Sequence, residues 1–426
     1  MSAYKVPKPV FDSLEHLVDL YKQCQSENSS SVIQDWLKAC LGNDFNSLPP
    51  QIVSEYEQGL RFLYSYRGSL DTFNAYRREI ERFLQWAWFV HEKPLSDLKR
   101  LDIEEFIEFC RNPPRSWIST KIVNRFLDED GARVLNQEWR PFVSKVSKRE
   151  FKEGVRAQKK NFAFSQQALK QVFAILGTLY NFLIQEEFTE SNPLLQIRQK
   201  SKFIQKQAVI SQIRRLSQEQ WQAVLEEARK MSVENPSLHK RTLFIMQCLF
   251  GMYLRISELT VNKKWSPKMS DFFRDHENNW WFRTVGKGNK MRQIAVSMEM
   301  LQALKEYREF LGYTPLPSPD DSSPLIPKMR GKGGVTDTSL IRNLVQQCFD
   351  RAIETLNQAD KKDEADMLKS ATVHWLRHTG ISEDVKIRPR EHVRDDAGHG
   401  SSAITDRYIN VELKERAKSA KNKGFK

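Results

Sequence analysis

The chain of 426 residues is poor in cysteine. Cys24, Cys40, Cys110, Cys248 and Cys348 lie far apart, with no Cys-x-x-Cys pair. An odd, dispersed set argues against a disulfide framework or a thiolate zinc site and fits a reducing cytosol, so the expected location is cytoplasmic. No long apolar run is present either. The longest, Leu243 to Leu254, is too short to span a bilayer, and the opening Met-Ser-Ala-Tyr-Lys-Val-Pro lacks the charged-then-apolar order of a signal peptide. A surface-bound membrane protein would need a strongly amphipathic basic helix, and none stands out. Internal repeats and low-complexity tracts are likewise missing. Acid is short relative to base: 67 Lys and Arg face 54 Asp and Glu, a formal net charge of +13. Such an excess draws a protein to a polyanion, and nucleic acid is the commonest one inside a cell.

A chain of this length can bury two or three cores. Residues 1–50 are polar and mixed, with helices expected around Leu14 to Tyr21 and Val32 to Leu41. They read as an N-terminal arm or small helical extension. From 51 to 195 the pattern is helical. Phe73, Tyr76, Ile80, Phe83, Leu84 and Ala87 share one face, with Asp71 and Thr72 as candidate caps. Asp102-Ile103-Glu104-Glu105 opens a second helix, and a third runs from Ser165 toward Asn192-Pro193. Between them, residues 111–160 look looser and strongly basic. Lys145, Lys148, Arg149, Lys159 and Lys160 there are candidate DNA-phosphate contacts, although a run of charge is also what a solvated face looks like. Residues 196–215 form a basic linker, with Arg198, Lys200, Lys202 and Lys206 as further DNA contacts.

A second domain, 216–426, is expected to start at Ser217-Gln218-Glu219-Gln220, a capping box. A buried helix over Leu243 to Leu254 should deliver Arg255. Alternation over Trp280 to Val285, a turn at Gly286-Lys287-Gly288-Asn289 and a return over Arg292 to Val296 predict a β-hairpin. The Pro/Ser/Gly-rich stretch 312–334 reads as a loop, with helices resuming at Thr338 to Leu356 and near His374.

The chemistry concentrates at the end of the chain: His374-Trp375-Leu376-Arg377-His378-Thr379, then Gly398-His399-Gly400, then Tyr408. A phenolic nucleophile with cationic donors around it suits phosphodiester chemistry in which the protein itself attacks DNA. A free phenol has a pKa of about 10, so attack near neutral pH needs cationic neighbours and a proton acceptor. Each residue also has an ordinary reading. Arg255 can be a structural ion pair with Glu258, Lys287 a solvated hairpin-tip lysine, and Tyr408 a packing residue. His374, His378 and His399 suggest a metal, but the His-Glu-x-x-His pattern is missing and Arg377 would repel a cation; no metal and no cofactor is expected.

Taken together, Tyr253-Leu254-Arg255-Ile256-Ser257-Glu258-Leu259, the hairpin 286–292, His-x-x-Arg-His-Thr at 374–379, Gly398-His399 and Tyr408 make the chain resemble the tyrosine recombinases, the family of phage integrases and Xer-type recombinases. The resemblance implies a mainly α fold with a small antiparallel β-sheet, in which a helical core-binding domain precedes a catalytic domain of the DNA breaking-rejoining type. It implies that Arg255 and Arg377 grip the scissile phosphate, that His374 and His399 hydrogen-bond its oxygens, with His374 the acceptor of the tyrosine proton, and that Lys287 (or Lys290) protonates the leaving 5′-hydroxyl. Tyr408 would form a 3′-phosphotyrosyl bond, with no cofactor required. Double-stranded DNA recombination sites would be the partners, bound by a homotetramer on two sites, with an accessory DNA-bending protein possible. The competing expectations are a type IB topoisomerase-like strand transferase and a non-catalytic DNA-binding protein of the same fold. Two departures stand out: Ala397-Gly398-His399 where the family has Leu-Gly-His, and a highly charged segment between Arg377 and His399.

Overall fold

The computed structural model describes residues 5–200, 214–286, 288–406, 408, 420 and 421, and these divide into two compact units, with the boundary between Val209 and Ile210.

Unit 1 is built from helices α1 (Leu14–Ser26), α2 (Ser29–Leu41), α3 (Ile52–Ser65), α4 (Leu70–Trp86), α5 (Arg100–Arg111), α6 (Lys148–Lys152), α7 (Gln166–Gln185) and α8 (Pro193–Lys200). The 3.6-residue period seen in the sequence becomes its core: Tyr56, Leu60, Phe83, Leu84, Phe106, Leu176 and Tyr180 are all buried in one cluster. Two caps differ from expectation. Ser69, not Asp71 or Thr72, precedes α4, and α5 starts two residues before Asp102, whose carboxylate accepts the Lys99 N–H from the third helical position.

Residues 5–50 share this core. Val10 and Phe11 donate their N–H groups to Glu81 Oε1 at 2.8 and 3.1 Å, and the Val10 carbonyl accepts from Trp36 and Tyr56. Glu81 is fully buried and also receives Arg125 at 2.9 Å. Thus one carboxylate on α4 ties the N-terminal strap to the segment beyond α5. That segment is not helical: it holds a short parallel pair, β1 (Ile118–Ser119) with β4 (Phe142–Val143), and a hairpin of β2 (Phe126–Glu129) and β3 (Ala132–Leu135). The expected linker at 196–215 begins inside α8, where Ile197 is buried in the unit 1 core.

Unit 2 packs α9 (Gln218–Glu234), α10 (Pro236–Gly251), α11 (Met298–Phe310), α12 (Thr338–Gln358), α13 (Lys362–Leu368) and α14 (Val373–Asp384) around a second core, followed by α15 (Arg390–Ala397) and α16 (Ser402–Asp406). The Ser217–Gln220 capping box opens α9 as expected. The hairpin is β6 (Trp280–Val285) with β7 (Met291–Ala295). The segment before it supplies a third strand, β5 (Phe272–Arg274), which pairs with the outer edge of β6. Helix α14 lies against α10 so closely that a Cβ on Gly380 would fall 2.1 Å from the Phe250 carbonyl oxygen. Only glycine permits that approach. All five cysteines are buried free thiols, and among the described residues no helix is long and apolar enough to cross a membrane.

Candidate active site

Helix α10 ends at Gly251, four residues short of Arg255, so the arginine is delivered by an irregular corner instead of a helix end. Tyr253 takes φ +50°, a left-handed conformation that a buried aromatic residue rarely accepts. Its carbonyl accepts a hydrogen bond from Arg377 Nη1. Its hydroxyl lies between Asp384, with which it hydrogen-bonds, and Arg388 at 3.0 Å. Arg388 reaches on to Asp396 at 2.6 Å. The charged segment between Arg377 and His399 therefore contains the frame behind the site.

Arg255 caps the 3₁₀ turn Ile256–Glu258. Its N–H and its Nη1 meet the two carboxylate oxygens of Glu258 at 2.7 and 3.0 Å. Glu258 also holds Arg292 of β7 in a bidentate pair at 2.7 and 2.8 Å, and Arg292 Nε donates to the Asp396 carbonyl at 3.0 Å. Burial would raise the Glu258 carboxyl, but Arg292 and then Arg255 outweigh it and hold it below the usual range. One buried carboxylate thus serves two guanidiniums. Because Arg292 takes both oxygens, the Arg255 side chain remains 29% exposed and has donors to spare.

Arg377 is buried, and its two hydrogen bonds go to carbonyls: Tyr253 and, at 2.6 Å, Ala397. Burial, then Arg255 and Arg292, push its pKa down to about 9. Among the described residues no carboxylate hydrogen-bonds it, and a guanidinium desolvated in this way is poised for an incoming anion. One turn apart on α14, His374 and His378 meet edge to face with ring centroids 4.2 Å apart. His374 is the more exposed, and His378 is half-buried.

Tyr408, two residues past α16, packs against Tyr253, Ile381, Val393 and Ala397 and is 9% exposed. Its hydroxyl hydrogen-bonds His378 Nδ1, and its ring lies nearly parallel to that of His399 with centroids 5.8 Å apart. His399 follows Gly398, which ends α15 at φ +64°, and its Nδ1 shares a 2.8 Å hydrogen bond with Thr405. The imidazoles are all held toward neutrality. Burial and then the neighbouring arginines lower His374 and bring His399 down to about 4, while burial, then His374, Arg377 and His399, bring His378 down to about 3.

The expected residues Arg255, His374, Arg377, His399 and Tyr408 therefore gather in unit 2. Lys287 lies outside the described residues. The hairpin that carries it does reach the site, since a Cβ on Gly286 would sit 2.9 Å from Arg292 Nη1 and 3.5 Å from Arg255 Nη1. Lys290 is exposed at the same turn. Sequence reasoning weighed His378 only as a metal ligand and gave no role to Arg292. The i, i+4 spacing of His374 and His378 was a signal for the first; Arg292 offered none, because its partner is 34 positions away. Among the described residues no three His, Cys, Asp or Glu side chains converge on a metal position.

Of the expected DNA contacts, Lys145 is exposed on a cleft of about 660 Å³ in unit 1, lined also by Arg77, Lys121 and Arg140. Arg77 bonds the Asp12 carbonyl and Asn74 Oδ1, with Glu81 and Asp12 nearby, and Arg140 bonds the carbonyls of Gln137 and Trp139. Burial lowers the pKa of both. Lys148 and Arg149 lie on α6, where Arg149 pairs with Glu153, and Lys159 and Lys160 are exposed. The side chains of Arg198 and Lys200, and the whole of Lys202 and Lys206, lie outside the described residues.

No family model and no curated protein matches the chain. Solved structures do. A XerH site-specific recombinase bound to a palindromic difH substrate, in a post-cleavage complex, is 16% identical over 98% of this chain and 99% of its own, with a TM-score of 0.49. The Tn1549 transposon integrase, residues 82–397, in complex with circular intermediate DNA, is 15% identical over 87% of this chain and 99% of its own, also at 0.49. A lambda integrase dimer bound to a COC′ core site is 13% identical over 88% and 82%, at 0.46.

Proposed function

We propose that this chain is a site-specific tyrosine recombinase that cuts and rejoins duplex DNA through a 3′-phosphotyrosyl bond. The observation that carries the reading is the pocket around the Tyr408 hydroxyl. A phenol there touches a neutral imidazole beside two arginines, and the described carboxylates around the site, Glu258, Asp384 and Asp396, are already engaged by Arg255 and Arg292 or by Tyr253 and Arg388. A scissile phosphate would supply the missing negative charge. Arg377 and Arg255 would neutralise its oxygens, most strongly as charge grows in the pentacoordinate transition state. His399 and His374 would add hydrogen bonds to the same oxygens. Attack by Tyr408 conserves the phosphodiester energy in the covalent link, so no nucleotide cofactor is needed. The leaving 5′-oxygen takes its proton from a lysine of the β6–β7 turn, Lys287 or failing that Lys290. A 5′-hydroxyl from a partner strand then reverses the attack.

The arginines and lysines of the unit 1 cleft, together with Lys148, Arg149, Lys159, Lys160, Arg198, Lys200, Lys202 and Lys206, would hold the duplex through its backbone. A homotetramer on two sites, serving integration or excision of a mobile element and aided by a DNA-bending protein, completes the reading.

The target sequence emerges from the test itself. Full-length protein is incubated with a random-sequence duplex library carrying 5′-bridging phosphorothiolates, and covalent protein–DNA adducts are isolated and sequenced. Adducts at a recurrent sequence with wild type, and none with Tyr408→Phe at unchanged DNA affinity, are expected. Adducts in the phenylalanine variant would defeat the assignment. Adducts without sequence preference, together with relaxation of supercoils, would turn the reading to a type IB topoisomerase-like strand transferase.

A further inference from the structure

We infer that His378 takes the proton of the Tyr408 phenol, and that the scissile phosphate itself makes His378 able to do so. This rests on the strand-transfer reading above and assigns its proton acceptor to a different histidine from His374.

Geometry comes first. His378 Nδ1 shares a hydrogen bond with the Tyr408 hydroxyl, whereas His374 meets His378 by its ring and lies one helical turn before it. Acceptance at Nδ1 requires the neutral tautomer with its proton on Nε2. The groups facing the imidazole are His374 and Arg377 from its own helix, His399 from the turn after α15, and Tyr408. Arg255 bears on both other histidines. Among the described residues none of these neighbours is a carboxylate. With burial, they hold free His378 at about 3, too weak a base to draw a proton from a phenol whose ordinary pKa is about 10.

A phosphodiester held by Arg255 and Arg377 narrows that gap. It brings one negative charge beside the imidazole and a second as the transition state forms. An opposite charge at about 4–6 Å moves a pKa toward the charged form by roughly 1–3. In the forward step the Tyr408 Oη–P bond forms as the P–O5′ bond breaks. The phenol proton passes to His378 Nδ1, and the departing O5′ takes a proton from the hairpin lysine. In the reverse step the incoming 5′-hydroxyl attacks, its proton returns to the lysine, and the imidazolium gives its proton back to the phenolate. Without DNA the nucleophile stays a phenol.

The experiment uses full-length protein and the duplex recovered by covalent capture. Single-turnover adduct formation should fall on the order of 100-fold in His378→Ala, with duplex affinity within about twofold, and imidazole added to the buffer should restore part of the rate. His378→Gln, which can still hydrogen-bond the phenol but cannot take its proton, should remain as slow as the alanine variant. A rate in His378→Ala within about threefold of wild type, or wild-type speed in His378→Gln, overturns the proposal. A second measurement does not depend on the His378 variants folding. In Tyr408→Phe labelled with ¹⁵N-histidine, His378 should titrate higher when the phosphate duplex binds, and should not do so with a duplex bearing an uncharged methylphosphonate at the scissile position. Equal titration with both duplexes also overturns it. If wild type forms no adduct with any duplex, strand transfer itself fails and this proposal with it. An adduct formed equally by wild type and His378→Ala removes this proposal alone.

Discussion

In unit 1 the buried Glu81 receives Arg125 and two backbone N–H groups, the buried Glu79 receives Arg82 and Arg78, and Asp12 is held by Arg133 at 2.8 Å. In unit 2 the hydrogen bonds of the buried Arg377 to described residues go to carbonyl oxygens, and Arg255, Arg292 and Arg377 gather about the carboxylate of Glu258. The first arrangement closes its charges and fastens segments distant in sequence. The second leaves positive charge open and pushes its imidazoles neutral. Buried charge that is satisfied internally builds a fold; buried charge left in surplus waits for a ligand.

The contrast is sharpest in the arginines. Arg125→Ala should strand the fully buried Glu81 and destabilise unit 1 by about 3–5 kcal/mol, measured by chemical denaturation. Arg255→Ala should change the stability of unit 2 by less than about 1 kcal/mol, because Glu258 keeps its bidentate pair with Arg292. It should nevertheless slow adduct formation by at least about 100-fold. Comparable destabilisation by the two substitutions would erase the distinction between structural and waiting charge.

Packing offers a second pair. Gly380→Ala drives a methyl group against the Phe250 carbonyl and should cost at least about 3 kcal/mol, read as a fall in the unfolding midpoint of unit 2. Gly177 in α7 has open space where a Cβ would go, so Gly177→Ala should stabilise unit 1 by about 0.5–1 kcal/mol.

The two units also differ in the sign of their pH dependence. Burial raises Glu55 to about 7 from an ordinary 4.5, against hydrogen bonds from the Leu95 N–H and Trp88. Its folded form keeps a proton that the unfolded chain has released. Its contribution to stability is full below about 4.5 and is lost as pH rises through about 7. His378 and His399 are depressed to about 3 and about 4 from 6.5. Their contribution is present above 6.5 and is lost as pH falls toward those values. Hydrogen exchange of the two cores across pH 4–8 should therefore show opposite slopes. Glu55→Gln should flatten that of unit 1 alone.

Helix periodicity and capping were legible because they are local: Ser217 and Gln220 read as a capping box and form one, and the α4 stripe is the core of unit 1. The set Arg255, His374, Arg377, His399 and Tyr408 was legible as well, through residue type and order. The role of the charged segment after Arg377 was not, since Arg388 and Asp396 become a frame only when Tyr253, 135 positions from Arg388, turns its hydroxyl toward them. How the N-terminal strap is held was hidden for the same reason. Its polar composition suggested an appendage, while its hydrogen bonds run to Glu81 some 70 positions later.

By itself the sequence determined a basic, mainly helical chain with the residue types for phosphodiester attack by a tyrosine, because such chemistry limits which side chains can serve. Tertiary structure alone decided which histidine meets the phenol, which carboxylate holds the arginines and where positive charge stays open. Those outcomes depend on distances of a few ångströms between segments far apart in the chain, and burial then sets the charge state of each group.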